Sequence, residues 1–180
     1  MKTLLFLQWH ITPECKNKCI HCFVYDTRTY IDELKNTLNL KKKLKILDDL
    51  SKFEQKYNSV FNQIGITGGD PLLSKDLHPF IEELSKRKKI ISIAANPEFL
   101  SETELEFLAA KRIKFIILSL DGLEETHDYI RYSGSFKKTI EKIGQIKKIK
   151  IDCAISFTLY DYNADELFPL IKFLAQNTDA

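Results

Sequence analysis

The chain has 180 residues, with 27 basic and 25 acidic side chains and a formal charge of +2, a balance that excludes general affinity for nucleic acid. Apolar residues make up 44% and charged residues 29%, the composition of an ordinary globular protein, and the length suits a single domain over residues 1–180. The hydrophobic start is too short to span a bilayer and lacks the features of an export signal, so no membrane is expected. The expected compartment is the cytoplasm, where cysteines tend to mean metal or catalysis rather than disulfides.

In chain order, residues 4–11 form an apolar run of strand length, in which Gln8 and His10 alternate with Leu7, Trp9 and Ile11 and so share one face. Leu40, Leu44, Leu47, Leu50 and Phe53 then recur at helical spacing. Residues 60–67 predict a second strand. Leu77, Phe80, Ile81 and Leu84 mark a helix with Ser74 as its N-cap. Residues 90–95 predict a third strand, and Ser101 to Glu104 a capping box that opens the next helix. Residues 113–120 are nearly all apolar and predict a fourth strand buried on both faces. Phe136, Ile140 and Ile143 continue as a helix. Ile149, Ile151, Cys153, Ile155 and Phe157 alternate as a fifth strand, which makes Cys153 a small core residue. Leu167, Leu170, Ile171 and Leu174 close with a helix. The basic runs Lys41 to Lys43 and Lys86 to Lys89 are expected on solvated helix faces or ends.

Five β/α repeats imply an α/β fold with a parallel sheet and right-handed crossovers. A closed eight-stranded barrel takes roughly 250 residues, which leaves an open doubly wound sheet or an incomplete barrel. The unusual residues all follow a predicted strand: the cysteines after the first, Gly68-Gly69-Asp70-Pro71 after the second, Asn96 after the third, Ser119 and Asp121 at the end of the fourth. A parallel β/α fold presents its active site at that edge.

The chemistry starts from Cys15, Cys19 and Cys22, three of the four cysteines, within eight residues. Thiolates are soft ligands suited to zinc, copper(I) and iron–sulfur clusters. A structural zinc site wants four ligands, and His21, which adjoins Cys22, would have to supply the fourth. A [4Fe–4S] cluster normally takes four thiolates; with three, one iron stays open to bind a ligand and pass it an electron. A zinc-binding interaction domain built on Cys15, Cys19, Cys22 and His21 is the alternative.

The triplet resembles the Cys-x3-Cys-x-aromatic-Cys signature of the radical S-adenosylmethionine (radical SAM) superfamily, with His21 in the aromatic place. The resemblance implies a partial six-stranded (β/α) barrel. It also implies a [4Fe–4S] cluster held by Cys15, Cys19 and Cys22, with S-adenosylmethionine (SAM) on the open iron. Reductive cleavage there gives methionine and a 5′-deoxyadenosyl radical that abstracts hydrogen from substrate, with an external electron donor.

Further motifs extend the likeness. Residues 67–71, Thr-Gly-Gly-Asp-Pro, are similar to the family's Gly-Gly-Glu-Pro, whose polar atoms hold the methionine amino group; Asp70 stands in the Glu position. Two glycines also permit a tight turn close to a ligand. Residues 118–138 resemble the Ser-x-Asp-Gly, His-Asp-x-x-Arg and Gly-Ser-Phe segment of peptide-modifying members. This points Ser119 and Arg131 at the SAM carboxylate or ribose, includes Asp121 in the site, and suggests a peptide or protein substrate. Arg suits the role because its planar fork binds carboxylate in two bonds; a surface salt bridge is the plainer account of Arg131. Asn96 takes the place of a family Asn facing the adenosine, or else caps a turn. Phe23 and Tyr25, directly after Cys22, are expected to shield the cluster or stack near adenine, with core packing the plainer account of Phe23. The chain stops after the fifth unit, without a sixth strand or a C-terminal domain of the SPASM type, so a minimal, truncated or non-catalytic member, or a second chain covering the fifth-strand edge, is expected.

Overall fold

A computed structural model describes residues 2–24, 30–111 and 113–178. Strands β1 (Thr3–Thr12), β2 (Ser59–Gly68), β3 (Ile90–Ala94), β4 (Phe115–Ser119) and β5 (Asp152–Ser156) form one sheet. Every pairing is parallel, and the spatial order is the chain order. A doubly wound sheet reverses its order at a switch point. This one never does, so right-handed crossovers place the helices on one face, as in an incomplete barrel.

The period of two sorts each strand. On β1, Leu7, Trp9 and Ile11 turn to the helices, while Leu4, Phe6, Gln8 and His10 stay exposed on the concave face. Trp9 meets Phe80 with ring centroids 4.8 Å apart. The concave face is graded. Gln8 Nε2 contacts His10 Nε2 at 3.2 Å and donates to Thr67 Oγ1 at 3.4 Å. Across the sheet, the paired concave positions Ala94, Ile117 and Ala154 are apolar. Phe6 rests its ring against Gly65, where a Cβ would come within 3.0 Å of it. Cys153 pairs with Ile116 on the helix side and packs against the core, and burial alone pushes its thiol up to about 11.

The helices are α1 (Tyr30–Asn36), α2 (Leu40–Lys56), α3 (Leu77–Lys86), α4 (Glu102–Ala110), α5 (Glu124–Ile130), α6 (Ser135–Lys148) and α7 (Leu167–Asn177). Helix α3 buries Leu77, Phe80, Ile81 and Leu84, the expected stripe. Its cap position is Asp76, not Ser74. Ser74 ends a 3₁₀ turn, Pro71–Leu73, and its carbonyl accepts the Leu77 N–H at 3.0 Å. Ser101 caps α4 by accepting the Glu104 N–H at 3.1 Å, but the Glu104 carboxylate goes to His78 at 2.8 Å instead of closing the box.

The basic runs are not simply solvated. Lys43 is buried and donates to Asp76 Oδ2 at 2.8 Å, because it lies three residues after Leu40 and four before Leu47, on their face of α2. Arg87 binds Asp48 and Glu83, and Lys89 binds Glu54, so the second run ties α3 and its exit to α2. On α7 only Leu170 of the expected stripe is buried; Ile171 is half exposed, and so is Phe53 on α2, which packs on Tyr57 and Phe61. Among the described residues, no helix is long and apolar enough to cross a membrane.

Candidate cluster and cofactor site

A cavity of about 460 Å³ opens at the C-terminal ends of the strands. Cys15, Cys19 and Cys22 line one wall, and Gly68, Gly69, Asn96, Ser119 and Arg131 are among the residues that line the rest. The strand ends thus bring together residues spread over more than a hundred positions. Asp70, Pro71 and Asp121, also expected in the site, do not line the cavity.

The cysteine loop leaves β1 and is fixed at once by backbone. Gly69 N–H donates to the Thr12 carbonyl at 2.8 Å, and Asp70 N–H to the Glu14 carbonyl at 2.7 Å. A Cβ on Gly68 would stand 2.2 Å from the Thr12 carbonyl oxygen. One on Gly69 would stand 2.3 Å from that of Pro13 and 2.4 Å from that of Glu14. Gly68 also holds φ at +133°, a region L residues rarely adopt. The close approach that the two glycines permit is therefore, first, to the cysteine loop itself. Within the loop, Cys22 N–H closes a turn on the Cys19 carbonyl at 3.0 Å, and Asn17 N–H donates to Cys15 Sγ at 3.4 Å. Burial pushes the Cys15 thiol up to about 11 and that of Cys19 upward as well. Both protons must leave when a metal binds.

Asp70 is buried. Its Oδ1 accepts the Leu72 N–H at 3.0 Å and starts the 3₁₀ turn, while its Oδ2 has no hydrogen-bond partner. Burial pushes the carboxyl up to about 6, against the pull of the Leu72 and Asn96 N–H groups. Asn96 does two jobs. Its Oδ1 caps the 3₁₀ turn Pro97–Phe99 through the Glu98 N–H at 3.1 Å, accepts the Tyr132 hydroxyl at 3.2 Å, and the residue still faces the cavity.

Opposite, the turn after β4 is organised by Asp121. Its buried carboxylate accepts Arg131 Nε at 2.6 Å on Oδ2 and the Thr158 N–H at 2.9 Å on Oδ1. Arg131 Nη1 reaches Cys19 Sγ at 3.9 Å, so the arginine is not a surface salt bridge. The Asp121 N–H donates to His127 Nδ1 at 3.1 Å. The His127 proton therefore sits on Nε2, which donates to Ser135 Oγ at 3.0 Å. Burial, with Arg131 nearby, pushes His127 down to about 4. Asp128 caps α6 by accepting the Gly134 and Phe136 N–H groups at 2.5 and 2.8 Å. Each polar residue of the His-Asp-x-x-Arg segment thus has its own structural task.

Two residues that sequence reasoning missed complete this wall. Asn163 Nδ2 donates to the Asp121 and Thr158 carbonyls, both at 2.9 Å, and Glu166 accepts the Leu123 N–H and Thr126 hydroxyl, both at 2.6 Å. They bind the exit of β5 to the exit of β4. An Asn two residues before an acidic helix start is the only local sign of this, and a weak one. Phe23 is exposed and lines the cavity 6.1 Å from His10, so it is not a core residue; Tyr25 lies outside the described residues.

The donor set fits an iron–sulfur cluster. In such a cluster each thiolate takes its own iron, so the sulfurs need not converge on one point. Among the described residues no three His, Cys, Asp or Glu side chains are grouped as one metal ion would require. His21 instead turns Nε2 toward Asp121 at 3.7 Å and leaves Nδ1 buried without a hydrogen-bond partner; burial lowers its pKa. Asp70 Oδ2, buried without a hydrogen-bond partner and next in sequence to the cavity-lining Gly69, is an acceptor left over for a cationic group on a second ligand.

Comparison with known proteins agrees. The chain is 25% identical over 174 residues to the Fe-coproporphyrin III synthase of Methanosarcina barkeri, covering 93% of this chain and 40% of that one. It is 22% identical over 163 residues to the sporulation killing factor maturation protein SkfB of Bacillus subtilis, covering 90% and 37%. The fold superposes on Streptococcus suis SuiB bound to its precursor peptide SuiA with a TM-score of 0.76 at 21% identity, covering 98% of this chain and 38% of that one. It superposes on SuiB bound to S-adenosylmethionine with a TM-score of 0.72 at 18% identity, covering 98% and 39%. The chain thus spans about two fifths of the length of these proteins. A family model described as the radical SAM superfamily matches residues 9–174, a span that contains every motif from which the cavity is built, and the chain belongs to that superfamily.

Proposed function

We propose that the chain is the core of a radical SAM enzyme that acts on a side chain of a peptide or protein. The observation that carries this reading is the placement of three cysteine thiols on one loop, fastened on two sides and open to a cavity of about 460 Å³. Cys15, Cys19 and Cys22 would hold a [4Fe–4S] cluster, with SAM on the open iron. When bound, the reduced cluster supplies the electron that cleaves SAM to methionine and a 5′-deoxyadenosyl radical. An external donor provides that electron, and a reducing cytoplasm suits the exposed chemistry.

The chain's own residues have distinct parts in this proposal. Gly68 and Gly69 bring the turn's backbone to the ligand, with Asp70 and Pro71 setting its shape and Asp70 Oδ2 offering an unused acceptor to the amino group. Ser119 and the free face of Arg131 address the carboxylate or ribose, and Asn96 the adenosine. Asp121 acts through Arg131. The graded concave face, with Gln8, His10 and Thr67 on one side, offers hydrogen bonds to an amide-bearing substrate. A partner segment or chain pairing with β5 would cover its open edge. The likeness to SuiB and SkfB supports the peptide, and the porphyrin enzyme among the relatives marks it as the part to test.

The test is anaerobic loading with iron and sulfide, then dithionite and SAM, followed by assay for 5′-deoxyadenosine. Four irons and 5′-deoxyadenosine are expected. Uptake of zinc without iron would overturn the reading.

A further inference from the structure

Arg131 touches the cysteine loop and a buried carboxylate at once. Nε donates to Asp121 Oδ2 at 2.6 Å and Nη1 to Cys19 Sγ at 3.9 Å. Neither end is free to drift. Asp121 is fixed by the Thr158 N–H, by its own N–H on His127, and by Asn163 on its carbonyl. Beside Arg131, the Ile130 carbonyl accepts the Ile20 N–H at 3.0 Å, which binds the end of α5 to the cysteine loop. The guanidinium is therefore aimed at Cys19 by the protein alone. Cys15 Sγ accepts the neutral Asn17 N–H.

A cationic N–H donor at a ligand thiolate favours the more negative, reduced state of an iron–sulfur cluster. We propose that Arg131 sets the reduction potential of the cluster through Cys19, with Asp121 as the positioning residue that aims it. The assignment rests on the cluster reading above. It gives Arg131 a role that is complete before any SAM binds, separate from contact with the SAM carboxylate.

The experiment loads the full chain anaerobically and measures the midpoint of the one-electron couple by EPR-monitored titration, without SAM. Arg131→Met should retain its iron and reduce less readily by on the order of tenfold, about 59 mV for one electron. Arg131→Lys keeps the ion pair but not the fork, and should fall by a smaller step. Arg131→Met leaves a buried carboxylate unpaired, so the double variant Asp121→Asn/Arg131→Met, which removes both charges, guards against loss of folding. A smaller fall is expected there, because the Asp121 carboxylate also acts on the Cys19 thiol through space and its removal offsets part of the loss of the guanidinium. A loaded Arg131→Met or double variant at the native midpoint overturns the role of Arg131 and leaves the cluster reading standing. A native protein that takes up no iron overturns the cluster reading instead.

Discussion

On the β2 side of the cavity the cysteine loop is gripped by main chain, with Gly69 and Asp70 N–H groups bonded to the Thr12 and Glu14 carbonyls. On the β4 side one main-chain bond, from the Ile20 N–H to the Ile130 carbonyl, is joined by side chains, through Asp121, Arg131 and Cys19. The two grips have different tolerances. Backbone pressed on backbone leaves no room for a single carbon atom at Gly68 or Gly69. A side-chain relay can be changed one member at a time, so it can adjust the properties of the site without dismantling it. The rigid side fixes where the thiolates are, and the adjustable side fixes what charge they meet.

The comparison can be broken outright at the shared target. Cys19→Ala should abolish cluster loading, since two thiolates cannot hold four irons, and iron analysis with visible absorbance reads the result. Gly69→Ala attacks the rigid side alone. Its Cβ would fall 2.3 Å from the Pro13 oxygen, and a loss of about 3 kcal/mol or more is expected in urea unfolding.

Acid titration sharpens the contrast, because each side carries one buried group shifted in the opposite sense. His127 faces Asp121, Arg131, Asp128 and His21 and holds its pKa at about 4, against 6.5 unfolded. The unfolded chain binds that proton first, so this contribution to stability is present above pH 6.5 and is lost as the pH falls toward 4. Asp70, with Glu98 nearby, holds its pKa at about 6, against 3.8 unfolded. Here the folded state binds the proton first, so stability is gained as the pH falls from about 6 toward 3.8. The two slopes oppose each other. In cofactor-free Asp70→Asn, the loss of stability between about pH 7 and about pH 4.5 should exceed that of the native protein by about 2 kcal/mol. Equal losses would show that Asp70 is not held protonated by burial.

Two small changes away from either grip calibrate these effects. Cys153→Ala should leave iron content unchanged and cost about 1 kcal/mol of packing; lost iron would make Cys153 a ligand. Gly144→Ala, inside α6 with nothing within 4 Å of the new Cβ, should stabilise by roughly 0.5–1 kcal/mol in the same urea assay.

Much of this was legible in advance where local rules govern. The strand and long-helix periods, the cysteine triplet and the strand-end placement of Ser119 and Asn96 all depend on nearby residues. The failures are nonlocal. Lys43 looked like part of a solvated run, and only the packing of α2 on α3 supplies Asp76 as its partner. Asp121 was expected to face the ligand. Its bonds to Arg131 after α5 and to Thr158 and Asn163 in the exit of β5 come from two separate places in the chain and draw it behind the wall. The short helices α1 and α5 carry too few turns to show a period, and Ser74 lost the α3 cap to a 3₁₀ turn.

The Lys43–Asp76 pair acts like a key in a lock. Taking both charges out of water offsets most of their attraction, so the pair adds little net stability. A slide of α2 by one turn along α3 would bury the ammonium alone, at a cost of about 3–5 kcal/mol. Its value lies in the wrong alignments it forbids, and through them in holding the crossover between the cysteine loop and the glycine turn to one length.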